Sequence, residues 1–329
     1  MMTLKDVWMT LSGVIFFAVS FNVMPTTTLA ASCCGGGSGA GLLLPKLKDN
    51  MVGITIDYEK YDGFWDNEGL WRADPAGSSL SQTRFNMGYA KRITPNWQAS
   101  IGLPYVRNDN EYSQNTFKNK GLGDSTISLW YEAFDEITCT FLVETWEDLK
   151  PAMYFGATLN LPTGISPYDD VQNNFDITGR GFYRLDMQAL FDKTVYPWNA
   201  SIAFNYGTHL QRSINREYGA YVEPYTKKLG DRKSISISAG YTVFLKEQDT
   251  LTFTAAYSDM REDKSTIAGL EDSTSGMKRR GFAFTTVWAS ADKSDVYKLT
   301  FSHAPQYNDW GQNFPTTQIL SMGVTHAYD

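Results

Sequence analysis

The chain has 329 residues, of which 42% are hydrophobic and 14% aromatic, and 29 basic and 36 acidic residues give it a formal net charge of −7. Its mean hydropathy of −0.33 is too polar for a protein that crosses a membrane with many helices, and its acidic balance argues against a nucleic-acid binder. The chain is nevertheless rich in aromatic residues and poor in charge for a soluble protein, and this combination requires an explanation.

Residues 1–31 have the pattern of a secretory signal peptide. Lys5 precedes an apolar run over residues 7–23, Pro25 interrupts that run, and Ala30 and Ala31 provide small residues for cleavage. The run is short for a membrane span of ~20 residues, which disfavours the alternative of a retained anchor helix. Lipidation at Cys33 is a second alternative, because residues 30–33 faintly resemble a lipobox.

Residues 32–50 form a leader rich in cysteine and glycine. Cys33 and Cys34 are followed by Gly35, Gly36 and Gly37. Adjacent cysteines lack the spacing of a zinc or redox motif, and neighbouring residues do not easily form an ordinary disulfide. A flexible leader is therefore favoured over a metal or thiol site. The third cysteine, Cys139, has no sequence neighbour to pair with.

Residues 51–329 alternate between apolar and polar side chains, which is the pattern of β-strands. Val52, Ile54 and Ile56 alternate with Gly53 and Thr55, and similar runs recur to the end of the chain. About twelve strands follow, most of them ~9–11 residues long, as a tilted strand needs to cross a bilayer. Residues 135–150 fit poorly, and a strand pair hidden there would make fourteen.

The polar phase of these strands consists of small hydrophilic residues that suit a wet lumen better than a dry core. Short turns alternate with long polar loops at residues 62–79, 108–120, 211–233 and 259–279, as in outer-membrane barrels. Aromatic residues lie at both ends of the strands, which predicts two belts at the membrane interfaces. The sequence therefore predicts an all-β, transmembrane, antiparallel, up-and-down β-barrel in the outer membrane of a Gram-negative bacterium. Its partners would be outer-membrane lipid and the barrel-assembly machinery. The aromatic Tyr328 near the end of the chain resembles the assembly signal of outer-membrane barrels.

No motif for a nucleotide, a catalytic serine or a zinc protease occurs, so we predict neither an enzyme nor a cofactor or metal site. His209, with a nearby serine, is more readily explained as a structural residue. Eight charged residues fall on the polar phase of their strands and are lumen-lining candidates. Ion pairing between opposite walls and control of selectivity along a permeation path are both open roles for them. They are Asp57, Glu59, Arg84, Glu132, Arg184, Asp186, Asp192 and Lys298.

Three short motifs occur in a fixed order on this strand pattern. Residues 121–124 read GLGD, residues 161–164 read LPTG, and residues 177–181 read ITGRG before the next strand. This order resembles the outer-membrane family named for the meta-pathway of phenol degradation, which is loosely similar to the long-chain fatty-acid channels. The residues that carry the resemblance are Gly121, Gly123, Asp124, Pro162, Thr163, Gly164, Gly179 and Gly181.

The resemblance implies a porin-like protein that moves aromatic or other hydrophobic compounds across the outer membrane. By analogy with the fatty-acid channels, the leader is a candidate plug of the lumen, with Cys33, Cys34, Leu43 and Pro45 as its candidate residues. The prediction is a channel for passive uptake of small hydrophobic solutes. Two alternatives remain: a barrel scaffold for a periplasmic protein such as an electron carrier, and a secreted soluble all-β binding domain.

Overall fold

The computed structural model describes residues 42–45, 48–112, 115–133 and 139–329. The predicted signal peptide, Cys33 and Cys34 lie outside these residues. Twelve long strands, labelled β1 to β12, form the wall. Their bounds are Asn50–Trp65, Ser79–Thr94, Trp97–Tyr112, Ser125–Glu132, Ala152–Leu161, Arg184–Val195, Trp198–His209, Arg232–Phe244, Thr250–Glu262, Met277–Ala289, Asp295–His303 and Phe314–Tyr328.

The twelve strands close into one antiparallel barrel. Each strand pairs with its neighbours in chain order, and β12 pairs with β1 from Asn50↔Tyr328 to Trp65↔Phe314. This confirms the predicted up-and-down barrel of twelve strands, and the alternative of fourteen is not realised. Every wall strand therefore has a hydrogen-bonding partner on both sides, and the barrel has no free edge.

The two phases of each strand face opposite environments. Along β1, Val52, Ile54 and Ile56 are exposed on the outside, whereas Asp57 and Glu59 are fully buried on the inside. The same inversion holds for the other strands, so large apolar side chains cover the exterior and small polar ones line the interior. This arrangement is the reverse of a soluble protein and is typical of a barrel surrounded by lipid.

One end of the barrel, the turn end, carries four short connections: β2–β3, β6–β7, β8–β9 and β10–β11. The fifth connection at this end, residues 133–151, is the region that fits the alternation poorly. It contains a two-residue strand, Cys139–Thr140, which pairs in parallel with residues 194–195 of β6. These residues lie closer to the turn end than the part of β6 that pairs with β5. A 3₁₀ helix, Trp146–Leu149, follows. The described residues 139–151 thus extend the wall by two residues and add no spanning strand.

The other end, the loop end, carries the long connections, and the predicted polar loops there are partly β-structure. Residues 108–120 were expected as a loop, but β3 continues to Tyr112 and pairs with a strand at Asn115–Leu122. Residues 211–233 contain a hairpin. β9 and β10 extend into residues 259–279, because the alternation of side chains continues beyond the apolar part of each strand. The remaining short strands are Trp71–Arg72, Gly311–Gln312, Arg212–Glu217, Ala220–Lys228, Thr266–Ile267 and Leu270–Glu271.

Among the described residues, the helical content is restricted to single turns. Besides Trp146–Leu149, 3₁₀ helices occur at Asn174–Asp176 and Lys246–Gln248. Within the described part of the chain, no helix combines the length and the apolar character that a membrane span requires.

Outward aromatic residues cluster near both ends of the wall. Their ring centroids lie about 5–6 Å apart, at separations typical of tilted and edge-to-face pairs. The arrangement matches the two belts predicted from the sequence. The turn-end pairs are Trp97–Tyr131, Trp198–Tyr241 and Trp288–Tyr297, and a loop-end pair is Tyr257–Phe282.

An arginine placed on the middle of the outer wall is expected to destabilise the barrel in lipid. Leu299 lies outward in the centre of β11, so Leu299→Arg should lower the free energy of unfolding by about 2–4 kcal/mol. Gln318→Arg is the matched control, because Gln318 lies outward near the loop end, where the cost is only about 0–1 kcal/mol. Urea unfolding in lipid measures both values. Equal costs at the two positions would contradict the assignment of this surface to the membrane.

Candidate functional site

The inner face of the barrel is the candidate site. Its side chains are mainly Ser, Thr, Asn and Gln, and most of them are buried. All eight charged residues selected from the sequence lie on this inner phase. Six belong to the two clusters described below or stand next to them, while Glu132 and Asp192 lie near the turn end.

A central cluster joins β1 and β2. The Arg84 guanidinium donates from Nη1 to Glu59 Oε2 at 2.6 Å, and its Nε lies 3.6 Å from Asp57 Oδ2. Asn86 Nδ2 also donates to Asp57 Oδ2, at 2.8 Å. Asp57 and Arg84 are direct cross-strand partners. The ion pair therefore links neighbouring strands. The sequence left open a pairing between opposite walls, and this pair does not make one.

Two further cations face the same carboxylates from the other side of the closure. Arg279 on β10 interacts with Glu59, and Lys298 on β11 interacts with Asp57. Arg279 also donates from Nη2 to Thr317 Oγ1 at 2.7 Å. Three cations thus face two carboxylates, and the middle of the lumen is a dense, slightly positive polar core. Charges removed from water in this way are retained only where they are paired.

A second cluster lies at the loop end around Glu262. This carboxylate accepts two hydrogen bonds from Arg180, at 2.5 and 2.6 Å, and two from Arg232, at 3.0 Å from Nε and 2.8 Å from Nη2. A bidentate guanidinium–carboxylate pair of this kind is strong and directional. Nearby, Arg184 Nε donates to Asp186 Oδ1 at 2.9 Å.

The β5–β6 loop, residues 162–183, crosses the mouth of the barrel from the β3 side to the β9 side. On one side, Asn108 Nδ2 of β3 donates to the carbonyl of Ile177 at 2.9 Å. On the other side, Arg180 reaches Glu262 of β9. Because β3 and β9 are six positions apart in a ring of twelve strands, these contacts lie on opposite walls. Ile177 is fully buried between them, so the loop occupies the loop-end mouth.

The sequence motifs converge at the base of this loop. Asp124 accepts the backbone N–H of Gly164 at 3.1 Å on Oδ1 and the backbone N–H of Arg180 at 2.7 Å on Oδ2. The Thr163 hydroxyl donates to the Gly123 carbonyl at 2.6 Å. One carboxylate therefore fastens both ends of the β5–β6 loop to the start of β4. We name Gly123, Asp124, Thr163, Gly164 and residues 178–180 the motif junction.

The motif glycines permit this close packing. A Cβ on Gly164 would lie 2.6 Å from the Cα of Gly179, and a Cβ on Gly179 would lie 2.3 Å from Asp124 Oδ1. Gly181 has a φ of +76°, a conformation that side chains disfavour. Gly121 contacts Ile165 of the loop. Pro162 directly follows the last residue of β5, where it cannot extend the pairing.

The described end of the leader lies inside the turn end of the barrel. Leu44 is buried against Met51, Ala90 and Ala327, and its backbone N–H donates to Gln98 Oε1 at 2.7 Å. Arg92 Nη2 donates to the carbonyl of Pro45 at 2.9 Å. Of the plug candidates, Leu43 and Pro45 are half-buried in this segment, and Cys33 and Cys34 lie outside the described residues.

Leu42 occupies a socket made by two glycines. Gly53 and Gly88 are direct partners across β1 and β2. A Cβ on Gly88 would lie 2.6 Å from Leu42 Cδ1, so the inner wall has room for this leucine only because the position is glycine. From Leu42 the chain runs toward the turn end and then enters β1 at Asn50.

Aromatic side chains surround the loop-end mouth. Phe175 of the β5–β6 loop stacks on Phe117 at 5.2 Å, and its centroid lies 5.5 Å from that of Tyr112. Deeper in the loop, Tyr168 and Phe182 meet edge to face at 5.4 Å. Burial raises the pKa of the Tyr168 phenol, and the nearby Glu217 charge raises it further, so this side chain stays neutral.

The sequence prediction missed Glu262, Arg180, Arg232 and Arg279. Three of them fall in segments expected as loops, although Glu262 keeps the inner phase that runs from Thr250 along β9. Extending that phase would have found it. The reach of Arg180 across the barrel has no sequence signal. His209 lies inward, and its Nδ1 is 2.8 Å from the Gly230 carbonyl. The part of the chain that the structure covers holds no group of three His, Cys, Asp or Glu placed to bind a metal.

The fold is similar to that of known outer-membrane proteins. A crystal structure of an outer membrane channel from Pseudomonas putida F1 matches with a TM-score of 0.65 and 12% identity, covering 87% of this chain and 97% of that chain. The β domain of the Bordetella autotransporter BrkA matches with a TM-score of 0.50 and 12% identity, covering 85% and 100%. No family model and no curated protein matches the sequence, so the resemblance to the phenol meta-pathway family is not confirmed.

Replacing Asp124 is expected to loosen the β5–β6 loop. Asp124→Ala leaves two backbone N–H groups without their acceptor, at about 1–3 kcal/mol for each buried donor. We expect a lower free energy of unfolding and faster tryptic cleavage within residues 162–183. Asp109→Ala is the control, since Asp109 forms exposed ion pairs worth about 0–1 kcal/mol. Identical cleavage rates in the two variants would refute the role of the motif junction.

Proposed function

We propose that this protein is a channel of the Gram-negative outer membrane that admits small hydrophobic or aromatic molecules by passive diffusion. The observation that carries the proposal is the inverted barrel: large apolar side chains outside, and a polar, charged interior crossed by a loop. A soluble all-β domain does not fit, because it would bury the face that is exposed here.

The fold and the lumen support a channel rather than an inert barrel. The Pseudomonas putida F1 protein with the same fold is an outer membrane channel. A barrel of twelve strands has a narrow lumen that side chains largely fill, so a permeation path here must run between inward groups. Arg84, Glu59 and Arg279 are fixed at the middle of that path and would set its selectivity.

The two ends of the lumen would control access. At the loop end, Arg180 and Glu262 hold the β5–β6 loop across the mouth. At the turn end, Leu42 and Leu44 occupy the glycine socket and the adjoining apolar cluster. Leu42, at the start of the described part of the leader, thus lies within the lumen. We therefore propose the leader as the plug of the lumen.

The aromatic residues at the mouth support the proposed substrate class. Phe117, Tyr112 and Phe175 form an aromatic cluster on the β5–β6 loop and the β3 hairpin. Aromatic faces stack on planar apolar solutes, whereas sugars require many polar contacts. This favours single-ring aromatic compounds as permeants.

One observation favours a second function, a scaffold for a periplasmic protein. At the turn end, Phe141, Leu142 and Trp146 are 66%, 69% and 87% exposed. Phe141 stacks on Phe244 and packs at a tilted angle against Tyr196, so the patch has a fixed shape. A partner such as an electron carrier would dock there. A Trp146→Ser variant that loses such a partner, in a protein without solute flux, would favour the scaffold.

Influx into liposomes tests the proposed function. Proteoliposomes should take up benzoate faster than glucose, and Arg180→Gln should accelerate both because the loop loses its contact with Glu262. Arg107→Gln is the matched control, since Arg107 lies on the outer wall in an exposed ion pair. Influx no faster than in empty liposomes, for every variant, would contradict a channel.

Deletion of residues 35–45 tests the plug. Removing Leu42 and Leu44 opens the glycine socket, so single-channel conductance in planar bilayers should rise. Leu142→Asn is the control for a change at the turn end outside the lumen. Unchanged conductance after the deletion would contradict the plug and leave the channel itself unaffected.

A further inference from the structure

The outer wall over β5 to β9 contains a groove of about 680 Å³, within the ~300–1,000 Å³ typical of ligand sites. Its floor is Ala189 of β6, which is directly paired with Phe155 on one side and Phe204 on the other. The small side chain between two large ones makes the depression. Met187 and Ile235 complete an apolar lining that faces away from the lumen.

The groove ends at a row of cations near the loop end. Lys233, Arg261 and Lys278 are consecutive cross-strand partners on the outer faces of β8, β9 and β10. Lys233 and Arg261 line the groove. Like charges directly opposite each other destabilise a sheet. Three in a row therefore indicate a site for an anion rather than a device for holding the strands together.

The carboxylates near this row do not neutralise it. Lys233 Nζ lies 2.6 Å from Asp263, and Asp259 is shared between Arg261 at 3.0 Å and Arg280 at 2.9 Å. Asp231 is taken by Lys228 and by the hydroxyls of Tyr206 and Thr208. Among the residues that the structure describes, Lys278 has no carboxylate within ion-pair distance. Asp309 acts on Lys278 only electrostatically, so four cations face three carboxylates, which leaves a positive surface directly above the outward aromatic residues.

We propose that this surface binds one membrane lipid with a phosphorylated headgroup, its phosphate on Lys233, Arg261 and Lys278 and an acyl chain in the groove over Ala189. The site rests on the membrane location proposed above, but not on solute transport. Guanidinium and ammonium groups are the usual partners of phosphate oxygens. The groove continues from these cations along the outer wall, where an acyl chain would lie against Phe155, Phe204 and Met187.

A lipid fits this surface better than a soluble anion, because half of the site is apolar. Inorganic phosphate would use the cations and leave the groove empty. A permeant solute would have to meet the lumen, and none of the apolar lining faces inward. The combination of a charged end and an apolar run matches an amphipathic ligand held at the membrane interface.

Native mass spectrometry of the detergent-solubilised full-length protein tests the site. The probes are dioleoyl phosphatidic acid, dioleoylglycerol with the same chains and no phosphate, and inorganic phosphate. We expect one bound phosphatidic acid and no competition by equimolar phosphate. Retention of dioleoylglycerol should be at least ~10-fold weaker, which corresponds to a difference of about 1.4 kcal/mol in binding free energy. Ala189→Trp should fill the groove, and the triple variant Lys233→Gln, Arg261→Gln, Lys278→Gln should remove the row; each should reduce retention to a similar extent.

Two control variants keep the test specific. Ala200→Trp changes another outward alanine, on β7, and Arg107→Gln removes an outward cation at the loop end of β3. Both should retain phosphatidic acid like the unmodified protein. Equal retention of dioleoylglycerol, or full retention by the triple variant, would overturn the site. Failure of the protein to enter bilayers would instead overturn the membrane location.

Discussion

The backbone N–H and C=O groups of the wall must be paired with one another, because hydrocarbon offers them no partner. This requirement is met by closure: β12 returns to β1 along the full length of the strand, and all twelve strands pair on both sides. Closure in turn separates two surfaces with opposite chemistry. Everything that follows, from the apolar exterior to the buried ions of the lumen, depends on that separation.

A narrow closed lumen makes the interior a polar core rather than an open pipe. Arg84, Glu59 and Asp57 are buried together, and each is stable only because the others are present. Buried charges are paired in the same way at the loop end, where Glu262 forms ion pairs with two arginines. The β5–β6 loop crosses this interior at the loop end, and the described leader residues Leu42 and Leu44 lie in it at the turn end.

The barrel could be predicted because period-two alternation is a local property of each strand. The phase of Asp57, Glu59 and Arg84 followed from their neighbours alone. Contacts between distant segments had no such signal. The three glycine-containing motifs were recognisable in sequence, yet only the fold shows that Asp124 joins Gly164 to Arg180. The loops were predicted too long because alternation continues past the point where the outward residues cease to be apolar.

The outer surface and the lumen are thus separate surfaces of one wall, one apolar and one polar. The central claim is that the lumen conducts. Single-channel recording in planar bilayers, with Glu262→Gln compared with the unmodified protein, tests it most directly. We predict small conductance steps that a single-ring aromatic acid blocks, and larger steps in the variant, because the β5–β6 loop loses its contact with β9. Bilayers that contain inserted protein and show no conductance in either form would contradict the account.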